Sequence, residues 1–253
     1  VLGLQEKEDL LDEPQAPHIG NFIHELLEET FSKFKGKKPL IDKKFQEYFF
    51  NRMDEKFTSD LARRMKTDSF LLKKIIINRL QRFLDSERER NVAKIICLEE
   101  KRKDTVIING DNIEFVYTVD RIDQFQDESI VIIDYKTGGS NVSPKKLSAL
   151  LDMKMDVVSI KENIRSFQLP IYYHFVSKEF PDKEVNAELY NVRILERKAF
   201  ISESDLSHKS RIVEICFKAL SAVFSEIFDP DVPFVPEKEE RRCSFCGFKA
   251  LCR

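Results

Sequence analysis

"VIIDYKTGG", residues 131–139, places an acid and a lysine two positions apart at the end of an apolar, β-branched run. Successive strand residues face opposite sides of a sheet, so Asp134 and Lys136 share one face while Tyr135 takes the other. A run apolar on both faces is expected of a central strand. A carboxylate there is costly unless it is paired, protonated or bound to a cation. Two readings are open at this point: a structural ion pair at a strand end, or one half of a cation site.

The segment upstream bears on that choice. "YTVDRIDQF", residues 117–125, reads as a second strand, and the turn "QDES" at 126–129 folds it back antiparallel. Asp120 then lies near the level of Asp134, and carboxylates that close repel unless a divalent cation sits between them. Hard cations such as Mg²⁺ take a few carboxylate oxygens, and a neighbouring ammonium can orient or stabilise a nucleophile. Asp123 is the alternative carboxylate if the register shifts.

Further outward, Ile19, Phe22, Ile23, Leu26, Leu27, Phe31 and Phe34 recur at helical spacing. A second helix is expected over about 40–52 and a longer one over about 55–90. The composition then turns to short β-branched runs at 93–99, 105–109 and 113–119, the last two joined by Asn109-Gly110, a favoured hairpin turn. Residues 138–163 carry Gly138, Gly139, Ser140 and Pro144 and read as a loop or insertion. A helix near 164–178, a strand near 184–196 and a helix near 204–228 follow, and Pro230, Pro233 and Pro236 lead to a cysteine-rich end. The expected fold is α/β: a central mixed sheet flanked by helices, with an N-terminal helical elaboration. The expected organisation is one domain, 1–253, with a helical region at 1–91, a core at 92–228 and a cysteine segment at 229–253. The chain opens on "VLGLQEKEDLLDEP" without Met, inside a segment that looks amphipathic, and so reads as a piece of a longer polypeptide.

Composition bounds the function classes. At 42% apolar residues with 21 Phe among 253, the chain has enough material for a core. No run approaches the roughly 18 apolar residues of a membrane span, and no signal pattern opens the chain, so a cytoplasmic protein is expected. Net charge is −2 and the pI near 6.2, so no global basic field advertises nucleic acid, and any such site must be local. Three of the five cysteines crowd the end as "CSFCGFKALC", 243–252, a spacing that suits metal or iron–sulfur ligation better than disulfides.

Taken together, these residues resemble the PD-(D/E)XK nuclease superfamily, in its RecB-like branch, whose members read G-R-I-D-R-I-D and then D-Y-K-(S/T). Here Tyr117 and Thr118 stand where the pattern has Gly and Arg. "GNFIHELLE", 20–28, is similar to the family's G-x-x-x-H-x-x-L-E helix motif, and "QLPIYYHF", 168–175, to its Q-x-x-x-Y motif. The resemblance implies a restriction-endonuclease-like core and Mg²⁺- or Mn²⁺-dependent cleavage of DNA. His24, Asp120, Asp134 and the carbonyl of Tyr135 would hold the metal, Lys136 would position the attacking water, and Gln168 and Tyr172 would support that lysine or touch the DNA backbone. Glu28 is a candidate supporting acid.

The cysteines resemble the terminal cluster of AddB-type helicase/nuclease subunits, which implies an exonuclease of double-strand-break repair and recombination with an AddA-like partner. In those subunits a [4Fe–4S] cluster uses one cysteine before the histidine helix and three after the fold. Cys243, Cys246 and Cys252 match the last three, but none precedes His24, so a cluster completed within 1–253 is not expected. Cys97 and Cys216 read as buried structural thiols. The rival readings are a non-catalytic DNA-binding or scaffolding module, and a zinc module held by the cysteines.

Overall fold

The computed structural model describes residues 16–65, 69–139, 144–233, 235, 243 and 246. Three helices come first: α1 (Ala16–Phe31), α2 (Lys43–Ser59) and α3 (Phe70–Glu89). Asp42 caps α2 by accepting the Phe45 N–H at 2.7 Å. Phe31 gathers Phe34, Phe45, Phe49 and Phe83 around it with ring centroids 5.2 to 6.4 Å apart, so one aromatic cluster ties the three helices together.

The helix expected over 55–90 is two elements. α2 ends at Ser59, a short 3-10 turn follows at Ala62–Arg64, and α3 begins at Phe70. The apolar spacing hides the reversal because Leu61, in the connection, is itself fully buried in the core that both helices share.

Five strands form one mixed sheet in the order β1 (Val92–Ile108), β2 (Asp111–Phe125), β3 (Ile130–Lys136), β4 (Val185–Asn191) and β5 (Glu196–Ala199). β3 and β4 are parallel, and the other neighbours are antiparallel. The crossover between β3 and β4 carries α4 (Leu147–Leu151), α5 (Val157–Asn163) and α6 (Gln168–Val176), and α7 (Lys209–Phe228) follows β5. One apolar cluster joins α1–α3 to one face of the sheet, and a second joins α4–α7 to the other. This is the mixed-sheet α/β architecture with flanking helices that the sequence predicts.

Three boundaries differ. The runs 93–99 and 105–109 belong to one long strand, because the charged stretch between them pairs with β2 through Lys103–Glu114 at 2.8 Å and Tyr117–Asp104 at 2.8 Å. The 138–163 loop holds two short helices. Asp156 caps α5 through the Ser159 N–H, while each helix buries too little, Leu150 and Ile160, to show a period. The strand at 184–196 is two strands around a turn in which Asn191 Oδ1 accepts the N–H groups of Arg193 and Ile194. The expected hairpin turn is present: Asn109 and Gly110 have φ of 55° and 92°, the left-handed pair that a type I′ turn needs. No helix among the described residues is long and apolar enough to cross a membrane.

Candidate metal and catalytic site

The site sits where β1, β2 and β3 meet the exposed flank of α1. Leu98 pairs with Arg121 and Glu100 with Val119, so Glu99 stands opposite Asp120. Arg121 pairs with Ile133, so the next position outward sets Asp120 beside Asp134. Three carboxylates therefore lie in one row across three adjacent strands.

Local backbone irregularity aims this row. Val119 and Ile122, three apart, both pack on the α4–α7 side, whereas Arg121 reaches Glu87 on α3, so strict alternation fails between Val119 and Ile122 although the β1–β2 register is unbroken there. Its opposite residue, Glu99, has φ 41°, a left-handed conformation that is uncommon for a glutamate and is held here against its local preference.

His24 reaches this row from α1. Its Nδ1 lies 3.0 Å from Glu99 Oε1 and 3.5 Å from Asp120 Oδ2, and its Nε2 lies 3.2 Å from the carbonyl oxygen of Tyr135. Asp120 Oδ2 also accepts the Tyr135 N–H at 2.7 Å. Ligand atoms of His24, Glu99 and Asp120 all lie within 4.8 Å of one another. Every group facing the imidazole is an acceptor, an arrangement that suits either a doubly protonated histidine or a metal cation. The donor set of imidazole, carboxylates and a carbonyl is the chemistry of Mg²⁺ and Mn²⁺ sites.

The electrostatics carry the same signature. Burial first, then the Asp134 and Glu99 charges, push Asp120 up to about 7 against the opposing pull of His24. Asp134 is raised by burial, with Lys136 working against the shift. His24 is raised as well: burial lowers it, but Glu99 and Asp120 together outweigh burial.

Asp134 and Lys136 share one face, as the alternation requires, and Lys136 Nζ is 2.5 Å from Asp134 Oδ2. Lys136 Nζ also donates to Gln168 Oε1 at 3.2 Å, Gln168 Nε2 donates to Tyr172 Oη at 2.9 Å, and Tyr172 Oη donates to the Thr118 carbonyl at 2.6 Å. This relay anchors the lysine to α6 and to β2. Tyr117, where the family pattern has Gly, stacks on Tyr172 with centroids 5.4 Å apart. Thr118 takes part through its backbone.

Asp123, the alternative carboxylate, takes no part. It is fully buried and bound to Arg121 Nε at 2.7 Å and Arg90 Nη1 at 2.8 Å. Glu87 closes the same network through Arg121 at 2.8 Å and Arg90 at 3.1 Å. Asp123 lies two positions from Arg121 and so shares its face, away from the Glu99–Asp120–Asp134 row. Glu28 is exposed on α1, raised by partial burial and by the Glu99 charge.

Glu99 is the residue that sequence reasoning missed. "CLEEKRKD" looks like a solvated charged run, and the available signal was position, since Glu99 ends the apolar half of the run that pairs with "VDRID". Cys97 and Cys216 are buried, and burial pushes their thiols up to about 11 and about 12. The Cys246 N–H donates to the Cys243 carbonyl at 3.2 Å, and Cys252 lies outside the described residues.

A family model described as the PD-(D/E)XK nuclease superfamily matches residues 1–253. Among curated relatives, an uncharacterized protein of Rickettsia bellii is 30% identical over 138 residues. The uncharacterized protein RT0391 of Rickettsia typhi is 32% identical over 142 residues. Each match covers 54% of this chain and 16% of the relative, so the chain spans about a sixth of the length of the curated relatives it matches. The solved structure of SSO0001 covers 92% of this chain and 95% of its own at 15% identity, with a TM-score of 0.33, too slight a likeness to bear on fold or chemistry.

Proposed function

This chain belongs to the PD-(D/E)XK nuclease superfamily, and on that premise we propose that it is a Mg²⁺- or Mn²⁺-dependent deoxyribonuclease. The observation that carries the reading is the convergence of His24, Glu99 and Asp120 within 4.8 Å, beside a lysine held by Asp134 and Gln168. Asp120, Asp134, His24 Nε2 and the Tyr135 carbonyl would hold the cation. Glu99, bonded to His24 Nδ1, would fix the imidazole so that Nε2 faces it. When bound, the cation polarises the phosphoryl oxygen and lowers the pKa of water beside it.

The chain's own residues supply the rest. Lys136 presents its ammonium where negative charge grows on the phosphoryl oxygens, and it also orients the attacking water. The Gln168–Tyr172–Thr118 relay keeps that ammonium from swinging away. Burial of Asp120 and Asp134 keeps the field in the site strong.

The finer reading is an exonuclease domain of an AddB-like subunit acting in double-strand-break repair and recombination with an AddA-like partner. Its support is the spacing of Cys243, Cys246 and Cys252. A [4Fe–4S] cluster would need a fourth ligand besides these three cysteines, and iron and sulfide analysis of the purified protein tests for it.

The nuclease reading is tested by incubating labelled linear DNA with Mn²⁺ and comparing wild type with Asp120→Asn and Lys136→Ala. Cleavage by the wild type, lost in both variants, supports it. Equal cleavage by all three would refute it.

A further inference from the structure

On the face of α3 turned toward the β4–β5 turn, the cations are left without carboxylates. Lys74, Arg79 and Arg82 from α3 and Arg193 from the turn line one shallow groove, with Asn78 and the half-exposed Ile75 and Ile194 between them. Among the described residues no acid lines it and none of these four cations forms an ion pair. Elsewhere in the helical region, Arg52, Lys56, Arg64 and Lys73 each pair with an acid. Arg79 feels the crowding, since burial and then the neighbouring Arg193 charge hold it below the usual arginine range.

The groove has a continuation toward the C-terminal end of β3. Arg79 and Arg193 also line a narrow apolar continuation formed by Ile19, Ile23, Leu80 and Thr137. Thr137 follows Lys136, and Ile23 precedes His24. Lys74, Asn78 and Arg82 succeed one another at four-residue intervals, about 6 Å apart along the helix axis. That is a ladder of donors on a scale suited to successive phosphates.

We infer that this groove is the track along which a DNA strand is held by its phosphates as it enters or leaves the site. Lys74, Arg79, Arg82 and Arg193 take the phosphate oxygens, and Ile75 and Ile194 lie against sugars or bases. The inference rests on the nuclease reading for the identity of the polyanion, and it adds a location and a direction of approach. Contacts of this kind carry no sequence preference and depend on salt.

The test is fluorescence anisotropy with a labelled single-stranded oligodeoxynucleotide and with its duplex, in EDTA so that cleavage is silent, across a salt series. A Lys74→Ala/Arg82→Ala/Arg193→Ala variant should bind at least about tenfold more weakly, with a log–log salt slope shallower by about 2 for the single strand. Arg211→Ala/Lys218→Ala, which removes α7 cations already paired with Glu214, should match the wild type. If the triple variant folds poorly, Arg82→Gln alone should lower the slope by about 0.7. Absence of binding by the wild type, or equal affinity and slope in wild type and groove variants, overturns the inference. Binding without Mn²⁺-dependent cleavage would sink the nuclease reading and leave the groove standing. Cleavage with unaltered binding by the triple variant would do the reverse.

Discussion

Asp120 Oδ2 accepts the backbone N–H of Tyr135 at 2.7 Å, so the carboxylate of β2 is locked to the backbone of β3 at the residue whose carbonyl faces His24. One hydrogen bond thus fixes two of the groups that would meet a cation. It leaves the second oxygen of Asp120 for that cation, in a row where like charges otherwise oppose one another.

Metal-free stability should fall as pH rises. Asp120 is raised to about 7, while an Asp in the unfolded chain titrates near 3.9. The native state therefore binds the proton more tightly, and the stability it gives is complete below about pH 4 and lost as pH climbs through about 7. Asp134 and His24, both raised, act with the same sign. Thermal melts in EDTA should show a larger drop between pH 5 and pH 8 for wild type than for Asp120→Asn. Adding Mn²⁺ should restore more stability at pH 8 than at pH 5, because the cation replaces protons.

Glu99→Gln keeps a group able to bond His24 but removes the charge that holds the imidazole. Metal affinity should weaken about 10- to 100-fold, as with other partners of ligating histidines. Cleavage should recover when Mn²⁺ is raised accordingly. A metal titration monitored by calorimetry and by activity checks both; no change in affinity would remove Glu99 from the site.

Lys136→Gln should leave metal affinity within a few-fold of wild type and lower kcat about 10²- to 10³-fold. Gln168→Ala, which cuts the relay behind the lysine, should lower kcat by a smaller factor with little effect on folding. Single-turnover cleavage at saturating Mn²⁺ separates the two. A Gln168→Ala effect as large as that of Lys136→Gln would argue that Gln168 touches substrate directly.

Asp123→Ala should act on folding rather than chemistry. It strips a carboxylate from Arg121 and Arg90, both buried, and breaking a buried pair in this way costs about 3–5 kcal/mol. Denaturant titration should show that loss. Whatever protein remains folded should still bind Mn²⁺ like the wild type, in contrast to Asp120→Asn.

The chain's own order of residues determined a good deal. Period-2 and period-3.6 patterning placed the helices and strands, Asn109-Gly110 marked the hairpin, and "DYK" put Asp134 and Lys136 on one face, because these depend on neighbours a few residues apart. It left undecided which of Asp120 and Asp123 joins the row with Glu99 and Asp134, since strict alternation fails between Val119 and Ile122 and only the packing of Val119, Ile122 and Arg121 fixes the faces. It hid Glu99 for the same kind of reason: that residue joins the site through register with a strand twenty residues away and through a positive φ that the surrounding structure enforces. The unpaired groove of α3 and the β4–β5 turn was likewise a matter of tertiary structure. Scattered cations in a chain of net charge −2 become a continuous field only when folding sets aside the acids that neutralise their neighbours.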